Sequence, residues 1–229
     1  MRKTRRFVSF ALAACMGVSL LANVPAGTAS ATEPDTVVET ENVAEAVTEE
    51  AEGIGDAATG TDATETSEAD FKWRDTKIEK YIGTSTEVVI PSKCTEIGFE
   101  AFAGNENLTS VVIPDSVTEI EEQAFLGCSS LKSVTIPDGL TEIKNSVFAD
   151  CSSLDDVTIP DSVTEIGLQA FMRCSSLKSI TIPEGVTEIK QSVFWGCSSL
   201  EDFTLPSGLT TIWLQAFTEC SNLKNITLD

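Results

Sequence analysis

The stretch CSSLKSVTIPDGLTEIKNSVFADC, residues 128–151, changes the spacing of its apolar residues part-way along. Val134-Thr135-Ile136 alternates inward and outward, the period of a strand with one buried face. Pro137 follows and has no N–H for a ladder, so the strand ends there. Asp138-Gly139 turns the chain, and Leu140 and Ile143 point back inward. Ile143, Val147, Phe148 and Cys151 then fall at i, i+4, i+5 and i+8. That is the pattern of a helical face, so a short helix or helical turn is expected to form the outer wall.

The same reading applies to every neighbouring segment. Pro91, Pro114, Pro137, Pro160, Pro183 and Pro206 are spaced by 23 residues, as are Phe102, Phe125, Phe148, Phe171, Phe194 and Phe217. Leu108 to Leu223 and Ile97 to Ile212 make two more columns with the same step. A fixed period of this length predicts a solenoid in which like residues stack over like. The expected fold is an α/β solenoid of six turns over residues 87–229. One face is a parallel β-sheet with rungs about 4.8 Å apart, and the other carries short helices or helical turns. No turn folds alone, because each buries its apolar columns only against the next.

The recurring motif IPxxVTEIxxxAFxxCSSLKSV resembles the leucine-rich repeats of the BspA-like bacterial surface proteins, over residues 87–229. The general leucine-rich repeat has Asn or Cys three residues after its last strand leucine. Here Ser116, Gly139, Ser162, Gly185 and Gly208 stand there, so no asparagine ladder carries over. The resemblance implies surface display and binding of host or neighbouring-cell proteins, and it implies no catalytic residues. Residues 71–86, FKWRDTKIEKYIGTST, look like the hairpin that covers the first turn in this family, with Phe71, Trp73, Ile78 and Tyr81 as its lid.

The ends differ from the middle. Residues 1–31 start with Arg2, Lys3, Arg5 and Arg6, continue through an apolar run from Phe7 to Val24, and close on Ala29-Ser30-Ala31. Basic start, apolar middle and small-residue exit read as a secretory signal peptide, which leaves no membrane span after cleavage. Leu12-Ala13-Ala14-Cys15 offers a different exit, a lipoprotein box that would anchor the chain through an acylated Cys15. Residues 32–70 contain thirteen Asp or Glu and neither a basic nor an aromatic residue, the composition of an extended, disordered linker. The chain is thus expected to be secreted or held at the cell surface.

Charge and composition exclude several function classes. The formal net charge is −21, and the leader holds four basic residues and no acidic one, so the mature chain is near −25. Nucleic acids and anionic membranes need a basic footprint and are excluded as partners. The chain has no histidine, which removes Ser–His and Cys–His nucleophile pairs, His-ligated zinc and the commonest general base. No catalytic, cofactor-binding or metal site is expected, and no cofactor.

Three sets of columns remain as candidates for chemistry. Cys128, Cys151, Cys174, Cys197 and Cys220 stack at a spacing within disulfide reach. Their number is odd and their side chains point one way, so they read as buried thiols. Glu96, Glu119, Glu142, Glu165 and Glu188 form an acidic column, with Asp115, Asp138, Asp161 and Glu184 in a second. A divalent cation between rungs is weighed there against side chains that splay into water, and the solvated reading is preferred.

The third set lies on the strand face. Lys132, Asp155, Lys178, Glu201 and Lys224 alternate in sign from rung to rung, which predicts ion pairs between adjacent rungs. Beside them run Ser133, Thr135, Asp156, Thr158, Ser179, Thr181, Asp202 and Thr204. These eight form a flat, hydrogen-bonding face and are the candidate ligand-binding residues, with an extracellular protein or glycan as partner. A patch on the opposite wall, Leu168, Met172, Trp195, Trp213 and Leu214, is the alternative. The final strand, Ile226-Thr227-Leu228, raises the further expectation of end-to-end self-association through an open edge. A plain structural spacer is the rival to a binding role.

Overall fold

A computed structural model describes residues 64–228. The leader, the Cys15 motif and linker residues 32–63 lie outside the described residues. A hairpin opens the fold, β1 (Phe71–Arg74) and β2 (Lys77–Tyr81). The turns contribute short strands in chain order. These are β3 (Glu87–Val89), β4 (Glu96–Ile97), β5 (Ser110–Val112), β6 (Glu119–Ile120), β7 (Ser133–Thr135) and β8 (Glu142–Ile143). β9 (Asp156–Thr158), β10 (Glu165–Ile166), β11 (Glu188–Ile189), β12 (Asp202–Leu205), β13 (Thr211–Ile212) and β14 (Asn225–Leu228) follow.

Every pairing between turns is parallel and in the register set by the 23-residue step. On the first ladder Val111 opposes Val134 and Val134 opposes Val157, while Phe203 opposes Ile226. On the second ladder Ile97 opposes Ile120, Ile143 opposes Ile166, and Ile189 opposes Ile212. Each ladder has about seven rungs, one more than the six prolines imply. β14 adds a rung to the first, and β2 opens the second by pairing Ile78 with Ile97.

The outer wall is not helical. Among the described residues the one helical element is a single 3-10 turn, Glu68–Asp70. Backbone amides on this wall alternate between two partners. The N–H of Phe125 donates to Val147 O in the next turn at 3.0 Å, whereas that of Leu126 turns back to Gln123 O at 3.0 Å. Gly127 then donates forward to Ala149 O at 2.8 Å and Cys128 back to Phe125 O at 3.2 Å. Alternation requires left-handed backbone twice per turn, at Gln123 (φ 60°) and Gly127 (φ 70°) and their equivalents in the other turns. A right-handed helix cannot pass through such residues. The i, i+4, i+5, i+8 spacing therefore arises from consecutive tight turns that form a third ladder.

The columns meet as expected inside. Phe102, Phe125, Phe148, Phe171 and Phe194 are fully buried, with ring centroids 4.8–5.8 Å apart along the stack. Tyr81 continues the stack into the hairpin, 5.3 Å from Phe102. Trp73 donates from Nε1 to Glu68 O at 3.0 Å and lies 4.2 Å beneath the Lys93 ammonium group. The disordered linker was expected to run to Asp70, but its last residues are ordered. Thr66 exchanges bonds with Val89, N–H to O and Oγ1 from N–H, both at 2.9 Å, and Glu65 accepts from Ser92 N at 2.7 Å. Docking satisfies the open edge of β3, which outweighs the polar composition of so short a stretch.

Candidate binding face

The two ladders treat charge differently. On the second, Lys144 pairs with Glu119 and Lys190 with Glu165, both across a 25-residue diagonal. Trp213 Nε1 reaches Glu188 on the same diagonal at 3.0 Å. Lys77 Nζ lies 2.6 Å from both Glu96 and Glu121, which holds the lysine up and Glu121 below the usual carboxylate range. Oxygens of Glu96, Glu119 and Glu121 lie within 4.8 Å of one another, yet the Lys77 ammonium group already supplies the positive charge that a cation would bring. A hollow of about 180 Å³ beside Glu119, Glu142 and Lys144 is open to solvent.

The cysteine column is a hydrogen-bonded ladder. Each Sγ from Cys128 to Cys220 donates to a carbonyl oxygen 26 residues back, at 3.1–3.2 Å. All six described cysteines are free thiols. A serine ladder runs beside it, with Ser152, Ser175, Ser198 and Ser221 Oγ each donating to the backbone oxygen one turn back.

The strand face shows its side chains to water. Ser133 and Thr135 stand on β7, Asp156 and Thr158 on β9, and Asp202 and Thr204 on β12. Ser179 and Thr181 occupy the equivalent segment of their turn, and all eight are exposed. Val134, Val157, Ile180 and Phe203 alternate with them into the core. The sheet is not continuous: β3-β5-β7-β9 form one part, β12-β14 another, and Ser179–Thr181 lies between them without strand pairing. The expected rung-to-rung ion pairs are likewise mostly unmade. Lys224 reaches Glu201 at 3.0 Å, but among the described residues Lys132, Asp155 and Lys178 have no ion-pair partner.

The alternative patch on the outer wall is partly closed on itself. Arg173 covers Trp195 with its guanidinium 5.4 Å from the ring, and Nη1 lies 3.6 Å from Asp150. Met172 is half-buried, whereas Leu168, Trp213 and Leu214 are exposed.

The model of the BspA type leucine-rich repeat region matches residues 79–198 and 141–229, in six copies. The chain belongs to the BspA-type leucine-rich repeat family. This BspA-type solenoid is also similar to the leucine-rich repeat protein of T. pallidum, at 30% identity and TM-score 0.58, over 71% of this chain and 92% of that one. A leucine-rich repeat protein from Bacteroides ovatus is 29% identical with TM-score 0.52, over 66% of this chain and 47% of that one. The pneumococcal vaccine antigen PcpA shares the fold at 18% identity and TM-score 0.54, over 69% of this chain and 45% of that one. No curated protein matches the chain. No helix among the described residues is long and apolar enough to cross a membrane.

Diagonal Lys–Glu pairing and the serine ladder were absent from the sequence reading. The first had a signal: Lys144 and Lys190 share a column two places past the glutamates, and a long side chain there reaches back one rung.

Proposed function

We propose that the chain is an exported, adhesin-like binding protein that recognises an extracellular protein or glycan through the strand face. The observation that carries this reading is the row of eight exposed Ser, Thr and Asp side chains on a backbone held by the stacked core. Side chains so placed lose little freedom on binding, so their hydrogen bonds convert well into affinity. Family membership and the leader-like start support display outside the cell. The absence of histidine and the stacking of carboxylates of one kind favour binding over catalysis, since acid–base chemistry needs a pair in contrasting environments.

The test is capture of purified matrix proteins, mucins and glycans by the full exported chain. The double variant Thr158→Arg/Thr181→Arg adds bulk at the centre of the face and touches no core column. It should retain the thermal midpoint within a few degrees and lose most binding. Binding that survives this variant but disappears in Trp195→Ser/Met172→Ser moves the site to the outer wall. Binding by none of the panel favours the spacer role.

A further inference from the structure

Charges on the strand face repeat at every second rung, not at every rung. Taking the β7 rung as third, the third to sixth rungs carry Lys132, Asp155, Lys178 and Glu201 in one column. The next column carries Ser133, Asp156, Ser179 and Asp202, and the third carries Thr135, Thr158, Thr181 and Thr204. On the second ladder Lys77, Lys144 and Lys190 are satisfied within the chain, but Lys132, Asp155 and Lys178 stay open although opposite charges lie one rung away.

We propose that this face recognises the same face of a second copy of the chain. The inference rests on the strand face being the binding site and names its partner. Two such faces have the same rung spacing of about 4.8 Å, so any whole-rung alignment is in register along its length. A two-fold axis parallel to the strands, between the fourth and fifth rungs, reverses the order of rungs and keeps each column opposite itself. Lys178 then faces Asp155, and Lys132 faces Glu201. Ser179 faces Asp156 and Ser133 faces Asp202, hydroxyl donors against carboxylate acceptors. Thr158 meets Thr181 and Thr135 meets Thr204. Each of these side chains finds a complement, Glu201 and Asp202 using carboxylate oxygens beyond those that Lys224 and Asn225 reach within the chain, and the contact is isologous as a closed pair requires. An axis along the solenoid would set each rung on itself, so that no lysine meets a carboxylate, and is disfavoured.

Four rungs span about 19 Å, which makes a contact smaller than a standard protein interface. Single pairs should therefore be weak, and arrays of copies on two surfaces should hold by multivalency. The strongly acidic chain opposes approach only within about 8 Å at physiological ionic strength. Homophilic adhesion between neighbouring cells is the function such a contact serves.

The test uses beads carrying the full exported chain tethered at its amino end, in physiological salt. Wild-type beads should clump. Lys132→Asp/Lys178→Asp makes the first column wholly acidic, and Asp155→Lys/Glu201→Lys makes it wholly basic. Each variant alone should lose clumping, and a mixture of the two should regain it. Lys144→Glu/Lys190→Glu, with the same charge change off the face, should clump as the wild type does. Dispersed wild-type beads, clumping by the acidic variant alone, or a mixture that stays dispersed while both variants keep the wild-type melting profile would each overturn the proposal. Capture of matrix proteins that is lost in Thr158→Arg/Thr181→Arg would then still uphold the strand face as a binding site for other partners.

Discussion

The Cys151 thiol donates to the carbonyl oxygen of Phe125 at 3.2 Å, so each turn's aromatic residue is tied to the turn that follows. Burial pushes Cys128 from an ordinary value of 9.0 up to about 12 and Cys220 to about 11, and holds Cys151 and Cys174 well above that value. Raised values mean that the stabilisation is complete below pH 9.0 and is lost as pH rises through the folded-state values. Each titrating thiol removes about 1.4 kcal/mol per pH unit. Alkaline unfolding should set in above pH 9 and steepen toward pH 12. Tyr81, Lys77 and Lys144 are raised too and act in the same direction. Cys151→Ala/Cys174→Ala should therefore flatten the pH dependence without abolishing it, as denaturant titrations at several pH values would show. Alkylation with mass detection should label all the thiols after denaturation and none of the buried ones before it.

Phe148 is fully buried between Phe125 at 5.5 Å and Phe171 at 5.6 Å. Phe148→Ala should cost about 3–5 kcal/mol and split the melt into two transitions, because each turn is stabilised mainly by its neighbours. Phe217 is only half-buried, and the same change there should cost roughly half as much.

Lys77 is the shared partner of Glu96 and Glu121. Lys77→Met should destabilise by about 1 kcal/mol at pH 7, a value kept low because the pair is part-exposed. Glu121 is depressed, so its contribution is present above pH 4.5 and lost as pH falls through its lowered value. Wild type and variant should converge as pH falls through that lowered value. A gap that persists in acid would assign Lys77 a packing role instead.

Asp150 takes the left-handed position that Gly104, Gly127 and Gly196 hold in other turns. Asp150→Gly should stabilise by up to about 1 kcal/mol, whereas Gly127→Ala should destabilise by a similar amount. A Cβ at Gly127 would meet nothing closer than 3.9 Å, so the cost there is conformational and not steric. Thermal melts of the two variants should move in opposite directions.

Export should leave Thr32 as the first residue of the mature chain. Intact mass of secreted material decides this, and an acylated Cys15 would convert the protein to an anchored lipoprotein.

The columns of Pro, Phe, Leu and Ile were legible because a buried position in a stack admits one kind of side chain, and its spacing fixes the register. The outer wall was misread because periodicity reports which residues face inward, not how the backbone between them bonds. Val147, Phe148 and Cys151 are buried as a helical face would have them, yet Ser146 at φ 54° and Asp150 at φ 59° rule out the helix. The strand face was legible as a surface, since all eight of its candidate residues are exposed. Its ion pairs were not, because alternating sign gives proximity but not side-chain direction. Tyr81 stacks on Phe102 from outside the 23-residue lattice, so the hairpin and not a column places it.

The two-rung charge pattern constrains how such an array can change in length. Adding or deleting a single turn keeps the Pro, Phe, Leu and Ile columns, although the buried Ala124, Val147, Ala170, Val193 and Ala216 alternate on a two-turn step. On the strand face, however, removing the turn that carries Lys178 would bring Asp155 and Asp156 beside Glu201 and Asp202. Removing two turns together restores the alternation. Recombination between near-identical repeats should therefore be tolerated in steps of 46 residues and selected against in steps of 23, so that allelic variants of this protein differ by even numbers of turns.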